Sequence, residues 1–140
     1  MSARDPEFAE CRTCLCSALR RAGRAVTHHY ESAFRGSGMR ATQFNILATL
    51  TQTGPVTMSE LAGYLGLERT TLTRNLRPLE SRGWVRATSD EADLRRRRVE
   101  LTAKGRAAAA RALPAWRRAQ AGAGPVLARF GVHLSAARGA

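Results

Sequence analysis

The sequence predicts a mainly α-helical fold with one small β-hairpin, and three observations predict it. Apolar residues recur at steps of three and four through most of the chain, the period of a helix that buries one face. Two short helical segments are separated by a single tight turn at Gly66-Leu67, the arrangement of a helix-turn-helix. Two segments, 84–88 and 98–102, alternate apolar and polar residues as strands do, with a polar stretch between them.

The first helix is read over 8–34, on the stripe Leu15, Leu19, Ala22, Val26, Tyr30 and Ala33, and Gly36-Ser37-Gly38 breaks it. Thr42 is the predicted N-cap of a second, short helix carrying Phe44, Leu47, Ala48 and Leu50, stopped by Gly54-Pro55. Thr57-Met58-Ser59-Glu60 fits a capping box, in which Thr and Glu satisfy each other's orphan amides. The third helix follows through Leu61, Ala62 and Leu65 to Gly66. A fourth runs from Arg69 to Arg82 on Leu72, Leu76 and Leu79, and Gly83 ends it. The two strands enclose a polar loop, Ser89 to Arg97, giving a hairpin with a basic tip. Thr102 is placed to cap a final Ala- and Arg-rich helix. Pro114 and then Gly122-x-Gly124-Pro125 are expected to interrupt it, leaving Val126, Leu127 and Phe130 in a last short helix.

At 140 residues the chain reads as a single domain, 1–140, with enough material for a core that requires no metal or disulfide. The net charge of +12 points to a polyanionic partner. Hydrophobic residues at 44% and charged residues at 24% are globular values, which argues against bulk disorder. Phe44 to Leu50, interrupted by Asn45 and Thr49, is far too short to cross a bilayer, so no membrane partner is expected. Asp5 and Glu7 stand where a signal peptide would have its apolar stretch, so the expected location is the cytoplasm. No Gly-rich phosphate loop or nucleophile motif is present and the 11 acids are scattered, so neither an enzyme nor a cofactor is expected.

At about 100° per residue, the fourth helix buries its leucines and turns Thr70, Thr73, Arg74 and Arg77 outward as one face. Arg donates two bonds to guanine, and Thr reaches base edges or the thymine methyl, so the face suits a DNA major groove. In the hairpin, Arg95 to Arg98 follow Asp93, and four adjacent guanidiniums repel one another unless an anion lies across them. Phosphate or a narrow minor groove supplies that anion. The alternatives are a solvated helix and a solvated loop. They leave the capped helix, the tight turn and the basic hairpin unrelated.

These residues resemble the multiple-antibiotic-resistance regulator (MarR) family of winged-helix transcription factors. The marks are Gly54-Pro55-Val56-Thr57-Met58-Ser59-Glu60-Leu61-Ala62, Thr70-Thr71-Leu72-Thr73-Arg74, Leu79-Glu80-x-x-Gly83-Trp84-Val85, Asp93-x-Arg95 and Leu101-Thr102-x-x-Gly105. The resemblance implies a winged helix-turn-helix over 39–102 and dimerisation helices over 8–35 and 103–140. It also implies a homodimer that reads a near-palindromic operator in double-stranded DNA. The contact set it implies is Ser59, Arg69, Thr70, Thr71, Thr73, Arg74, Arg77, Asp93, Arg95 and Arg97, with Arg95 entering the minor groove. The apolar stripes of the first helix and of the segment after Thr102 have no partner in a lone winged domain, which also argues for a second copy. The expected function is a repressor released by a small molecule or an oxidant. In this family the effector pocket lies beside the dimer helices, where Tyr30, Phe34, Phe44 and Trp116 either line it or form core.

Cys11, Cys14 and Cys16 admit three readings: packing residues, a metal site or a redox switch. On a regular helix Cys14 lies about 60° from Cys11 and Cys16 about 140° to the other side, so the three cannot converge on one metal. His28 and His29 diverge by about 100° and cannot chelate together, so no metal site is expected. In the organic-peroxide-sensing branch of the family a reactive thiol stands fourteen residues before a Tyr, as Cys16 stands before Tyr30. That branch has a second Tyr where this chain has Ala41, and an aromatic where it has Arg20. On a regular helix Arg12 and Arg20, at i−4 and i+4, flank Cys16. Two other functions compete. A sequence-tolerant architectural nucleic-acid binder would use the charge alone, and a thiol or metal binder built on the cysteines would leave the winged helix unexplained.

Overall fold

The computed structural model describes residues 5–90 and 93–133, with backbone alone at 90 and 93–96. It falls into two compact units, one made of the chain up to Ala33 together with the segment from Arg117 onward, the other Phe34–Trp116.

The unit Phe34–Trp116 contains α2 (Ala41–Thr53), β1 (Val56–Thr57), α3 (Met58–Leu65), α4 (Arg69–Ser81), β2 (Val85–Asp90), β3 (Asp93–Leu101) and the first half of α5 (Ala103–Ala128), which follow α1 (Leu15–Ala33) in the chain. Its core is apolar: Ile46, Leu47, Leu50, Leu61, Leu72, Leu79 and Val99 are each less than 2% exposed. Phe34 packs on Phe44 with its ring tilted by 54° at 5.3 Å between centroids, and Phe44 stacks on Trp116 at 6.5 Å. Helix α2 starts one residue before the expected cap: Arg40 flanks it, and its N–H is satisfied by the Gln43 side chain at 3.0 Å. Thr42 therefore lies inside the helix, and Gln43 takes the N3 place of a capping box by accepting the Arg40 N–H.

The sheet is antiparallel in the order β1-β3-β2, with Val56 opposite Val99 and Ala87 opposite Val99 on the other side. Strand β1, two residues long, was not foreseen. Strand β2 runs on to Asp90 and strand β3 begins at Asp93, so the expected loop over 89–97 is corrected: residues 89–90 and 93–97 are strand. Apolar alternation reports a buried face, whereas a ladder needs backbone partners alone, so a polar strand escapes that test. Residues 91 and 92 lie outside the described residues.

In the other unit the expected helix over 8–34 divides. A 3₁₀ helix, Pro6–Thr13, opens on Asp5, whose side chain accepts from the Glu7 N–H at 3.0 Å. Cys14 is then extended (φ −60°, ψ 112°), and α1 starts at Leu15. No residue of the 3₁₀ segment is buried, so no packing face holds it in the α form. Further along α1, His29 Nε2 donates to the Ala119 carbonyl at 2.8 Å and the Tyr30 hydroxyl donates to Gln120 Oε1. A Cβ at Gly122 would come within 2.8 Å of the His29 ring, so glycine leaves room for that imidazole.

Helix α5 is continuous where two interruptions were expected, running through Pro114 and Pro125 to Ala128. A proline inside a helix costs about 3 kcal/mol. Here it is offset by strong helix formers on either side and by a buried stripe at helical spacing, Ala108, Ala112, Ala115, Ala119 and Ala123. No separate last helix forms around Val126, Leu127 and Phe130. Among the described residues no helix is long and apolar enough to cross a membrane.

Candidate nucleic-acid interface

The candidate interface is organised by the turn between α3 and α4. Thr57 caps α3 by accepting the Glu60 N–H at 3.2 Å, while Glu60 Oε2 accepts from the Thr57 N–H at 2.8 Å and from the Thr57 hydroxyl at 2.9 Å. These bonds to the ionised form, with Arg98 nearby, hold the Glu60 carboxyl below the usual carboxylate range. Gly66 ends α3 in the left-handed region (φ 62°, ψ 34°), and the Leu67 N–H returns to the Ala62 carbonyl at 3.0 Å. Two residues later α4 begins, its direction set by a turn that a side chain at Gly66 would strain.

Leu72, Leu76 and Leu79 are at most 3% exposed and anchor α4 in the core. The opposite face presents Arg69, Thr70, Thr73, Arg74 and Arg77, all exposed, with Thr71 half-buried at its edge. The Thr73 hydroxyl donates to the Arg69 carbonyl at 2.9 Å, which leaves its methyl and lone pairs outward. Ser59 is exposed on the first turn of α3. Behind α4, Arg82 donates to the Gly38 carbonyl at 2.7 Å and covers the Trp84 ring at 4.6 Å, which fixes the helix end to the loop before α2.

In the hairpin, Asp93 and Arg95 stand on β3, and their side chains lie outside the described residues. The remaining basic residues are partly committed. Arg86 pairs with Glu100 across the strands, Arg98 donates to the Pro55 carbonyl at 3.0 Å, and Arg97 donates to Glu80 on α4 at 3.3 Å. From the sequence, Glu80 enters as part of the family motif with no role of its own, and Tyr64, an aromatic 64% exposed on α3, does not stand out. Tyr64 sits off the Leu61, Ala62 and Leu65 stripe, and that spacing was the available signal.

The sensing candidates are not brought together within one chain. Cys11 lies in the 3₁₀ helix, Cys14 at the break and Cys16 in the first turn of α1, all exposed. The angular relation expected from a regular helix therefore does not apply. Arg12 belongs to the 3₁₀ segment, so it is not one α-helical turn before Cys16, and it donates to the Ala9 carbonyl at 3.1 Å. Tyr30 is fourteen residues from Cys16, about 21 Å along a helix axis, and its partial burial raises its hydroxyl pKa. His28 is exposed and His29 is engaged as above. Among the described residues no group of three or more His, Cys, Asp or Glu is placed to hold a metal ion. A cleft of about 280 Å³ lies between α2 and the first half of α5, lined by Phe44, Ala48, Thr51, Gln52, Arg106 and Leu113. Of the four aromatics expected at a pocket, Phe44 reaches this cleft; Phe34 is buried behind it.

Residues 39–96 match the model of the MarR family. The chain is 50% identical to M. tuberculosis transcriptional regulator MosR, solved in complex with DNA, over 77% of this chain and 78% of that one, with a TM-score of 0.69. A MarR family transcriptional regulator from Streptomyces coelicolor, Sco3205, also solved in complex with DNA, is 26% identical over 78% and 73% of the two chains, with a TM-score of 0.68. The uncharacterized HTH-type transcriptional regulator YwoH of Bacillus subtilis is 31% identical over 63% of this chain and 64% of its own, so the match spans less than two thirds of that relative. The family model falls on the capped α3, the turn and the exposed face of α4, and the identity to MosR extends over more than three quarters of both chains: the chain belongs to the MarR family of transcriptional regulators.

Proposed function

We propose that this chain is a sequence-specific, double-stranded-DNA-binding transcriptional regulator that acts as a homodimer on a near-palindromic operator. One observation carries the reading: α4 buries Leu72, Leu76 and Leu79 and presents Arg69, Thr70, Thr73, Arg74 and Arg77 on its solvent face. Guanidiniums and threonines so displayed match the donor, acceptor and methyl pattern of a major groove. The charge of +12 supports the same partner, as do DNA-bound MosR and Sco3205. Leu15 and Leu19, 79% and 60% exposed on α1, support a second copy as the cover for that face.

As a repressor it would be released by a signal, and two places support one: the exposed cysteines astride the break at Cys14, and the α2–α5 cleft. The test is selection of binders from random-sequence duplexes by the purified protein, followed by footprinting. Enrichment of a near-palindrome with two protected half-sites is the expected result. Retention of duplexes without a shared motif would favour a sequence-tolerant architectural binder instead.

A further inference from the structure

The exposed side of α4 is not uniformly basic. Its last turn carries Glu80, whose Oε1 accepts from Arg97 Nη2 at 3.3 Å. Both side chains are partly exposed, 32% for Glu80 and 48% for Arg97. Arg97 shares its face of the sheet with the fully buried Val99, two residues on, and with Ala87 and Val85, the inward residues of β2. That face turns toward the helices, so the wing strand delivers a guanidinium to the end of the recognition helix. Arg86 and Arg98 lie on the other face, occupied by Glu100 and the Pro55 carbonyl.

An exposed ion pair contributes little to stability because solvent screens it. Its consequence is in what Arg97 is free to do. Binding to DNA of arbitrary sequence comes almost wholly from cations set against phosphates, whereas operator binding adds base contacts. A carboxylate that occupies one guanidinium therefore weakens arbitrary binding proportionally more. We infer that Glu80 is a specificity-determining residue: by holding Arg97 against α4 it withdraws that guanidinium from the phosphate backbone and widens the gap between operator and other DNA. This rests on the DNA-binding reading above.

The experiment is a double-mutant cycle of Glu80→Gln and Arg97→Ala. Affinity for a selected operator and for a scrambled duplex is measured across a salt series, and elution from immobilised heparin is measured in parallel. Glu80→Gln is expected to tighten binding to the scrambled duplex at least threefold and the operator by less, and to steepen the scrambled salt slope by about one, the contribution of one further phosphate contact. Its elution from heparin should move to higher salt. Arg97→Ala should weaken the Glu80→Gln variant at least threefold more than it weakens the parent, because the guanidinium is free in the first and occupied in the second. Equal effects of Arg97→Ala in both backgrounds would show a change of net charge alone and overturn the inference, as would an unchanged salt slope. The two readings fail separately: a parent that does not prefer its operator defeats the DNA-recognition reading, while an operator-selective parent with an additive cycle defeats this inference. The heparin arm reads the release of Arg97 even without an operator.

Discussion

Gly105 lies directly against the carbonyl of Trp84: a Cβ at Gly105 would come within 2.0 Å of that oxygen. The same carbonyl accepts the Thr102 N–H at 3.1 Å, and the Thr102 hydroxyl donates to the Gly83 carbonyl at 2.6 Å while accepting the Gly105 N–H at 3.0 Å. The start of α5 is thus stitched to the start of β2, and the stitch tolerates no side chain at Gly105. Gly105→Ala should destabilise the protein by about 1–3 kcal/mol, the range for an overpacked site. That corresponds to a fall of roughly 3–10 °C in thermal midpoint. A melt indistinguishable from the parent would mean that the two segments shift apart at no cost.

Glu60 gives the α3 cap a pH dependence. Its carboxyl titrates below the ordinary value because its ionised form accepts the Thr57 bonds. A depressed carboxylate adds stability above its unfolded pKa of about 4.3, and that stability is lost as pH falls through the lower folded value. Glu60→Gln should therefore lower the thermal midpoint at pH 7, and the deficit should shrink as the pH is lowered through the folded value, where the parent loses the same interaction. A deficit that does not change with pH would show that charge plays no part in the cap.

The α3 cap and the buried stripe of α4 were legible in the sequence because both are local. Thr57 and Glu60 are three residues apart, and the leucine stripe of α4 repeats every turn. What escaped was settled by distant partners or by missing ones. Strand β1 exists because Val56 finds Val99. The first helix breaks at Cys14 because nothing buries the 3₁₀ segment, and α5 survives two prolines on a buried alanine stripe whose partners no local pattern reveals. In the candidate site, the outward residues of α4 followed from periodicity. The Glu80–Arg97 pair, seventeen residues apart, did not, since Arg97 was read as part of a polar loop.

The cysteines yield a prediction about the signal. Cys16 stands in the first turn of α1 between the exposed Leu15 and Leu19, so oxidation would place a polar or bulky group within the face proposed to meet a second copy. In a peroxide titration of operator binding, the parent should lose binding and Cys16→Ser should keep it, with Cys11→Ser and Cys14→Ser responding as the parent does. A parent indifferent to peroxide would transfer the signal to the α2–α5 cleft.

Arg74→Ala tests most directly the proposal that α4 reads base sequence. Fluorescence anisotropy should be measured for parent and variant on the selected operator and on a scrambled duplex of equal length and salt. Loss of a base-edge contact should cost the variant about 1–3 kcal/mol on the operator and little on the scrambled duplex. Equal losses on both duplexes would make Arg74 a phosphate contact and contradict the assignment of α4 as the recognition helix.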